Sequence, residues 1–352
     1  MKLLKSITYL FIATLILASC SSDDDNVNNE PLGDYENGIL ITNEGPFQNG
    51  SGTISFISED FNNTDHTIYN DVNNMDLGSI VQSMGFHGSD AYIVVNNSHK
   101  IEVVNRYTFE AIATISEGLN NPRYFVSIGD KGYVSNWGDP FDNNDDFIAI
   151  IDLQTKTVDA TISVDFGPEK LIVKGEKIYI AHKGGFGQNN IVSIINTTTN
   201  SFVTSVVVGD VPNSMVVSRD DLWVLCEGNP EFTGNETQGS LVKIDTNTDN
   251  VTQTFDFETT EHPSNLTMDD VNLIYNLNGS VYSKEETSVE LPSTSIIDGF
   301  FYTMTAKNGL LYATDAGDFA SNGTLKVFNL SDNSEVESIE VGIIPGGIYF
   351  NN

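Results

Sequence analysis

The sequence predicts an all-β protein, because its apolar residues form short runs of alternating polarity that end at Asn, Gly, Asp or Pro. One strand pattern recurs seven times from Gly38 onward, most clearly at residues 132–136, 178–182 and 222–226. The seven equivalent positions are Leu40, Tyr92, Tyr133, Tyr179, Trp223, Leu273 and Tyr312. They lie 39 to 52 residues apart, about 45 on average, which is the length of a four-stranded blade. The fold predicted is a seven-bladed β-propeller.

Each copy continues with the same elements in the same order. A second apolar strand ends in a turn, as at residues 148–152, and a third strand follows, as at residues 202–208. A segment that begins with proline then opens the next copy, which suits the first residue of a strand, where no ladder N–H is required. These prolines are Pro122, Pro168, Pro212, Pro263 and Pro345. We interpret the proline-led segment as the innermost strand of each blade.

The two ends of the repeat predict how the ring closes. The first copy begins at its second strand, near Ile39, and lacks an innermost strand. The last copy is followed by a proline-led strand at residues 345–350 that has no blade of its own. The C-terminal strand is therefore predicted to complete blade 1, which would remove the open sheet edges. Residues 38–352 are predicted to be one domain.

The N-terminus has the features of an export signal. Lys2 and Lys5 precede an apolar run of 12 residues, shorter than the roughly 20 that a membrane-spanning helix needs. The run ends in Leu-Ala-Ser-Cys, which resembles the lipobox of bacterial lipoproteins, in which the cysteine carries the lipid. We predict a signal peptide at 1–19, lipid attachment at Cys20, and an acidic tether at 20–37. An ordinary secretory signal with a chance cysteine is the alternative.

Composition limits the partners. The chain has 49 Asp and Glu against 16 Lys and Arg, a formal net charge of −33, which disfavours nucleic acid because phosphates are bound by clustered cations. Hydrophobic residues make up 39%, so the acidity does not indicate disorder. Only Cys226 remains once Cys20 is used, so no intramolecular disulfide is expected.

Several motifs resemble known propellers. The Tyr-Val-x-Asn strand at 133–136, the Ile-Asp-x-x-Thr turn at 151–155 and the Val-Gly-x-x-Pro junction at 208–212 resemble the YncE-like, or YVTN-repeat, seven-bladed propellers. The lipobox and the acidic residues 21–25, with segments 41–45, 81–84, 92–98 and 121–124, resemble the surface-exposed propeller lipoproteins of the Bacteroidota. That resemblance implies an outer-membrane, cell-surface protein. It also implies capture of a nutrient, a corrinoid such as cobalamin, for a TonB-dependent transporter.

Loops that follow the second strand of five copies carry aromatic residues beside Gly or Pro. These residues are Phe47, Trp137, Phe141, Phe186, Phe232 and Phe319. One interpretation is a ring of stacking surfaces for a large, partly planar or sugar-like ligand. The other is that each aromatic folds down between blades and fills the groove under its own loop.

A second set of loops would place polar groups near the axis on the same face. The candidates are Gln82, Arg123 and Tyr124, with Glu169, Asn213, Ser264 and Asn265 at corresponding positions. The guanidinium of Arg123 could bind a ligand amide or carboxylate. A salt bridge from Arg123 to Glu169 across the channel is the equal alternative.

Catalytic and metal-binding signatures are weak. We predict no cofactor and no metal site, because no His-x-x-x-His spacing or Gly-x-Ser-x-Gly elbow occurs. His182 and His262 fall on the loop face, and the carboxylates between Asp139 and Asp146 lack the spacing of a calcium loop. We expect a binding protein rather than an enzyme. A surface scaffold and a lactonase-like hydrolase remain the alternatives, the latter by analogy of fold alone.

Overall fold

The computed structural model describes residues 32–47 and 50–352. The predicted signal peptide at 1–19, the lipid attachment at Cys20 and the tether as far as residue 31 lie outside the described residues. Among the described residues, no helix is both long enough and apolar enough to cross a bilayer.

Seven antiparallel sheets of four strands each form the molecule, as the repeat predicts. Blade 1 contains β1 (Gly38–Asn43), β2 (Thr53–Ser58) and β3 (Thr64–Asp65), and blade 2 contains β4 (Val81–His87), β5 (Asp90–Val95), β6 (Lys100–Asn105) and β7 (Ala111–Ile115). Blade 3 contains β8 (Pro122–Ile128), β9 (Lys131–Asn136), β10 (Phe147–Asp152) and β11 (Thr157–Ser163). Blade 4 contains β12 (Pro168–Lys174), β13 (Lys177–His182), β14 (Ile191–Asn196) and β15 (Ser201–Val207). Blade 5 contains β16 (Pro212–Ser218), β17 (Asp221–Cys226), β18 (Ser240–Asp245) and β19 (Asn250–Asp256). Blade 6 contains β20 (Ser264–Asp269), β21 (Asn272–Leu277), β22 (Ser280–Glu285) and β23 (Ile297–Asp298). Blade 7 contains β24 (Thr303–Lys307), β25 (Leu310–Asp315), β26 (Asn322–Asn329) and β27 (Ser334–Ile343). The helices are short: α1 (Ile68–Asn73) and 3-10 turns at Asn96–Ser98 and Glu231–Thr233.

The C-terminal strand closes the ring. Strand β28 (Pro345–Asn351) pairs antiparallel with β1, with Gly38 opposite Asn351. The Asn351 side chain adds contacts to blade 2, because its amide nitrogen donates to the carbonyl of Arg106 at 2.7 Å. The sheet order β28-β1-β2-β3 confirms the predicted closure.

The core lies between blades, and the residues that mark the repeat fill it. Tyr92, Tyr133, Tyr179 and Trp223 are fully buried. The Tyr92 ring stacks on Phe125 of the next blade, with 4.5 Å between ring centroids. A large flat side chain suits this position because it covers the face of the neighbouring sheet, and such pairs stabilise by about 0.5–1.5 kcal/mol beyond their burial.

The start of each innermost strand is irregular, and this directs side chains to the axis. In six of the seven blades the pairing between the first and second strands shifts register near the start of the inner strand. The residue before five of these strands has a positive φ: Ile80, Asn121, Gly167, Val211 and Ile344. A bulge re-aims the following side chains, and branched residues at positive φ are genuine outliers that concentrate near functional sites.

Candidate functional site

Two sets of loops share one face of the ring, which we call the loop face. The loops after the second strands touch the loops that lead into the inner strands through backbone hydrogen bonds. Trp137 N donates to Asn121 O at 3.2 Å, and Glu227 N donates to Val211 O at 2.9 Å. The predicted aromatic loops and the predicted axial polar residues therefore do lie on the same face.

A cavity of about 530 Å³ opens at the axis of this face, and we call it the mouth. Its lining includes four of the predicted site residues, Phe47, Gln82, Arg123 and Tyr124. Other lining residues with polar or aromatic side chains are Glu44, Glu169, Lys170, Lys183, Asn213, Glu227, Ser264, Asn265, Phe300, Phe301, Tyr302 and Thr303. Glu169, Asn213, Ser264 and Asn265 occupy the positions that the repeat predicts.

Arg123 is held by two neighbours. Its Nε and Nη2 lie 3.0 and 2.9 Å from Oε1 of Glu169, which occupies the equivalent position of the next blade. Its guanidinium carbon lies 4.0 Å from the centre of the Trp137 ring. The salt-bridge alternative is therefore the arrangement in the structure. Arg123 still lines the mouth, with donor atoms beyond those used for Glu169.

A second acid, the half-buried Glu44, faces the mouth from blade 1. Glu44 accepts a hydrogen bond from the Tyr302 hydroxyl at 2.8 Å. Burial raises the pKa of Glu44 above its ordinary value, while the bond from Tyr302 and the charge of Arg123 oppose the rise. Burial and the neighbouring Glu44 raise the pKa of Tyr302. The pair gives the mouth an acceptor and a phenol ring that the sequence did not reveal.

Gln82 and Tyr124 lie side by side. The Gln82 amide nitrogen is 3.5 Å from the Tyr124 hydroxyl, and both residues line the mouth. Burial raises the pKa of Tyr124, so its hydroxyl stays protonated and can donate. The amide and the phenol therefore offer neutral hydrogen-bonding groups next to the Arg123–Glu169 ion pair.

The five loop phenylalanines point outward. Their exposed fractions are 72% for Phe47, 85% for Phe141, 69% for Phe186, 86% for Phe232 and 47% for Phe319. The interpretation that each one folds down as a latch is wrong for all five. Trp137 is the exception, because it is half-buried and its Nε1 donates to the carbonyl of Pro168 in the next blade at 3.1 Å.

Three of the aromatic residues form a continuous surface, the aromatic patch of Trp137, Phe141 and Phe186. The rings of Phe141 and Phe186 stack with 5.4 Å between centroids, and Trp137 meets Phe186 edge-on at 6.1 Å. The patch reaches the mouth through the contact of Trp137 with Arg123. Phe232 and Phe319 are not part of the mouth lining, although Phe319 contacts Tyr302 at 5.7 Å.

The remaining chemical candidates are buried or paired. His182 is fully buried, its Nδ1 lies 3.1 Å from the Phe166 carbonyl, and burial lowers its pKa to about 4. His262 contacts the Glu236 carboxylate at 3.2 Å. Cys226 is buried, which raises the pKa of its thiol to about 12.

Carboxylates of the acidic loop at 139–146 accept hydrogen bonds from backbone N–H groups. Asp145 accepts from the backbone N–H of Asp139, and Asp139 accepts from that of Phe141. Asp146 is buried and accepts from Gly167 N at 2.9 Å. Within residues 32–47 and 50–352, no group of three His, Cys, Asp or Glu side chains could hold a metal ion. These hydrogen bonds hold the loop that carries Phe141.

The sequence missed Glu44, Lys170, Lys183 and the segment of Phe300 to Tyr302. The last segment occupies the junction before blade 7, where no proline marks the start of the inner strand. An alignment anchored on proline cannot find it. In the structure, the pairing of Thr303 with Thr314 aligns the inner strand β24 with β25.

The fold and the mouth define a seven-bladed β-propeller with a concave site on its loop face. Residues 37–341 match the family described as a domain of unknown function, DUF5074, and the chain belongs to that family. No curated protein matches the chain.

Solved structures share the fold at low sequence identity. The periplasmic gluconolactonase PpgL of Pseudomonas aeruginosa is 10% identical, with 90% of this chain and 99% of that chain covered and a TM-score of 0.64. Hydrazine synthase of Kuenenia stuttgartiensis is 17% identical, covering 77% and 92%, with a TM-score of 0.58. BamB of Moraxella catarrhalis is 16% identical, covering 86% and 82%, with a TM-score of 0.54. These likenesses show the propeller fold alone.

Proposed function

We propose that this propeller is a lipid-anchored protein of the bacterial cell surface that captures a nutrient at its mouth without converting it. The proposed ligand is a corrinoid such as cobalamin, and the proposed recipient is a TonB-dependent outer-membrane transporter. The observation that carries the proposal is the mouth itself, a cavity of about 530 Å³ continuous with exposed aromatic rings on one face.

The chemistry of the mouth suits a large amide-bearing ligand. Its polar groups combine an ion pair, a phenol and side-chain amides, which can each donate to or accept from a carboxamide. A corrinoid is larger than this cavity, so its macrocycle would rest across the opening while its amide arms reach Arg123 and Gln82. The aromatic patch would then support one flank of the macrocycle by stacking.

Cobalamin titration followed by tryptophan fluorescence tests the proposal. Trp137 lies beside the mouth, whereas Trp223 is fully buried, so we expect saturable quenching at micromolar cobalamin after correction for its absorbance. Alanine at both Phe141 and Phe186 should raise Kd about tenfold, which corresponds to about 1.4 kcal/mol of lost stacking.

Phe202→Ala is the matched control, because Phe202 is an exposed phenylalanine on the outer strand β15, away from the loop face. It should leave Kd unchanged. Absence of saturable binding would discard the corrinoid, and an equal effect of Phe202→Ala would discard the aromatic patch as part of the site.

A surface scaffold is the second candidate, and the exposure of the aromatic patch favours it. Contiguous exposed apolar side chains rimmed by polar residues are typical of protein interaction sites. A scaffold would retain a partner from solubilised outer membranes without any small ligand, and the Phe141→Ala, Phe186→Ala pair would abolish that capture. A lactonase-like hydrolase would instead turn over model lactones and lose activity on replacement of His262.

A further inference from the structure

A second chamber lies on the axis below the mouth. Its volume is about 230 Å³, and its walls come from the innermost strands of six blades. The lining combines the apolar side chains of Met84, Met215 and Met304 with polar groups from Thr303, Thr305, Tyr349 and the backbone. Lys170 and Tyr124 belong to both the chamber and the mouth, so they mark the passage between the two.

Lys170 differs from the cations around it. Arg123 is paired with Glu169, Lys183 with Glu227 at 3.5 Å, and Lys174, on the same strand β12, with Asp220 at 3.3 Å. Among the described residues, the Lys170 ammonium group forms no salt bridge with a carboxylate and lies over no aromatic ring.

The Lys170 side chain is half-buried at the boundary between the chamber and the mouth. Burial lowers the pKa of Lys170 below its ordinary value, Glu169 beside it partly offsets this, and the charge of Lys183 adds to the lowering. Desolvated charges in proteins are normally paired, because an unpaired site does not compensate for the hydration free energy that the charge loses. An anionic group that enters the chamber can therefore pair with the Lys170 ammonium.

We propose that Lys170 binds the carboxylate of a small organic monoanion whose body occupies the chamber. A single lysine supplies one charge and three donors, which suits a carboxylate. A dianion such as phosphate would meet more repulsion from Glu169 and from a chain with a net charge of −33. The apolar side chains of the chamber would contact the carbon skeleton.

This inference goes beyond the proposed function, because it concerns the chamber and does not require a corrinoid at the mouth. Benzoate is the probe, and benzamide is its uncharged counterpart of nearly equal shape. We expect benzoate to bind the purified protein saturably by calorimetry at concentrations up to about 10 mM. Benzamide should bind at least tenfold more weakly.

Lys170→Met removes the charge and keeps an unbranched side chain that is one atom shorter. It should weaken benzoate binding at least tenfold, and the ligand-free variant should melt at a higher temperature than the wild type because an unpaired charge is gone. Lys174→Met is the matched control, since it removes a paired lysine of the same strand and should leave benzoate binding unchanged.

Equal binding of benzoate and benzamide, equal binding by Lys170→Met, or no saturable binding of benzoate would each overturn the proposal. Cobalamin titration of the same variants separates the two sites. Benzoate binding without cobalamin binding would retain the chamber and reject the corrinoid, and the reverse result would reject the chamber alone.

Discussion

At the scale of single residues, Arg123 connects its neighbours at the mouth. Arg123 holds Glu169 by two contacts and also stacks on Trp137, which in turn meets Phe186. One guanidinium thus links the inner strands of blades 3 and 4 to the aromatic patch. Its loss would leave the carboxylate of Glu169, which is 5% exposed, without its counter-charge.

Arg123→Met is expected to destabilise the fold by about 1.5–3 kcal/mol, the range for hydrogen bonds to charged groups. Urea unfolding of the single variant, of Glu169→Gln and of the double variant measures it. The double variant should recover part of the loss, because no unpaired charge remains. Additive effects of the two substitutions would contradict the pairing.

Asp146 makes stability depend on pH. Burial raises its pKa from 3.8 to about 7, with contributions from Asp145, Asp165 and Asp142, while the hydrogen bond from Gly167 opposes the rise. The folded state therefore favours the protonated acid. Its stabilising contribution is complete below about pH 4 and is lost as the pH rises to about 7.

Asp146→Asn should therefore raise Tm at pH 8 and change it little at pH 4, because the amide oxygen can still accept from Gly167. Each kcal/mol regained corresponds to roughly 2–4 °C. Calorimetry at the two pH values measures the difference, and Asp142→Asn, an exposed carboxylate of the same loop, controls for the loss of one charge. A larger gain at pH 4 than at pH 8 would refute the role of Asp146.

At the scale of elements, the inner strands carry the site and one of them closes the ring. Deletion of residues 345–352 removes β28, exposes the edge of β1 and leaves blade 1 with three strands. We expect the shortened protein to unfold or aggregate, because an open edge pairs with other chains. Size-exclusion chromatography and thermal melting of the purified chain measure this.

A permuted chain supplies the control for this deletion. Placing the β28 sequence ahead of β1 through a short turn restores the pairing, since Asn351 already lies opposite Gly38. The permuted protein should recover the monomer and the melting transition. An unchanged Tm in the deletion variant would show that β28 does not hold the ring together.

At the scale of the whole molecule, the ring brings corresponding residues of different blades together in one concave site. Residues separated by more than 250 positions meet at the mouth, as Tyr302 and Glu44 do. No single blade could hold a ligand, because each contributes only a few side chains at the start of its inner strand. The strained residues before these strands, such as Val211 and Ile344, are buried, which offsets their unfavourable φ.

The sequence by itself determined the all-β class, the seven blades, the closing strand and the residues that follow each proline. It could do so because strand alternation and repeat length are local properties of the chain. It also named eight residues of the mouth: Phe47, Gln82, Arg123, Tyr124, Glu169, Asn213, Ser264 and Asn265.

Only the tertiary structure decided which loop aromatics are exposed, which cations are paired, and which residues blade 7 contributes. The sequence left open whether Arg123 is paired; in the structure it is bound to Glu169, whereas Lys170, the residue after Glu169, forms no salt bridge among the described residues. The physical reason is that pairing and burial depend on distances across blades. Neighbouring blades meet through space, and the order of the residues does not encode those distances.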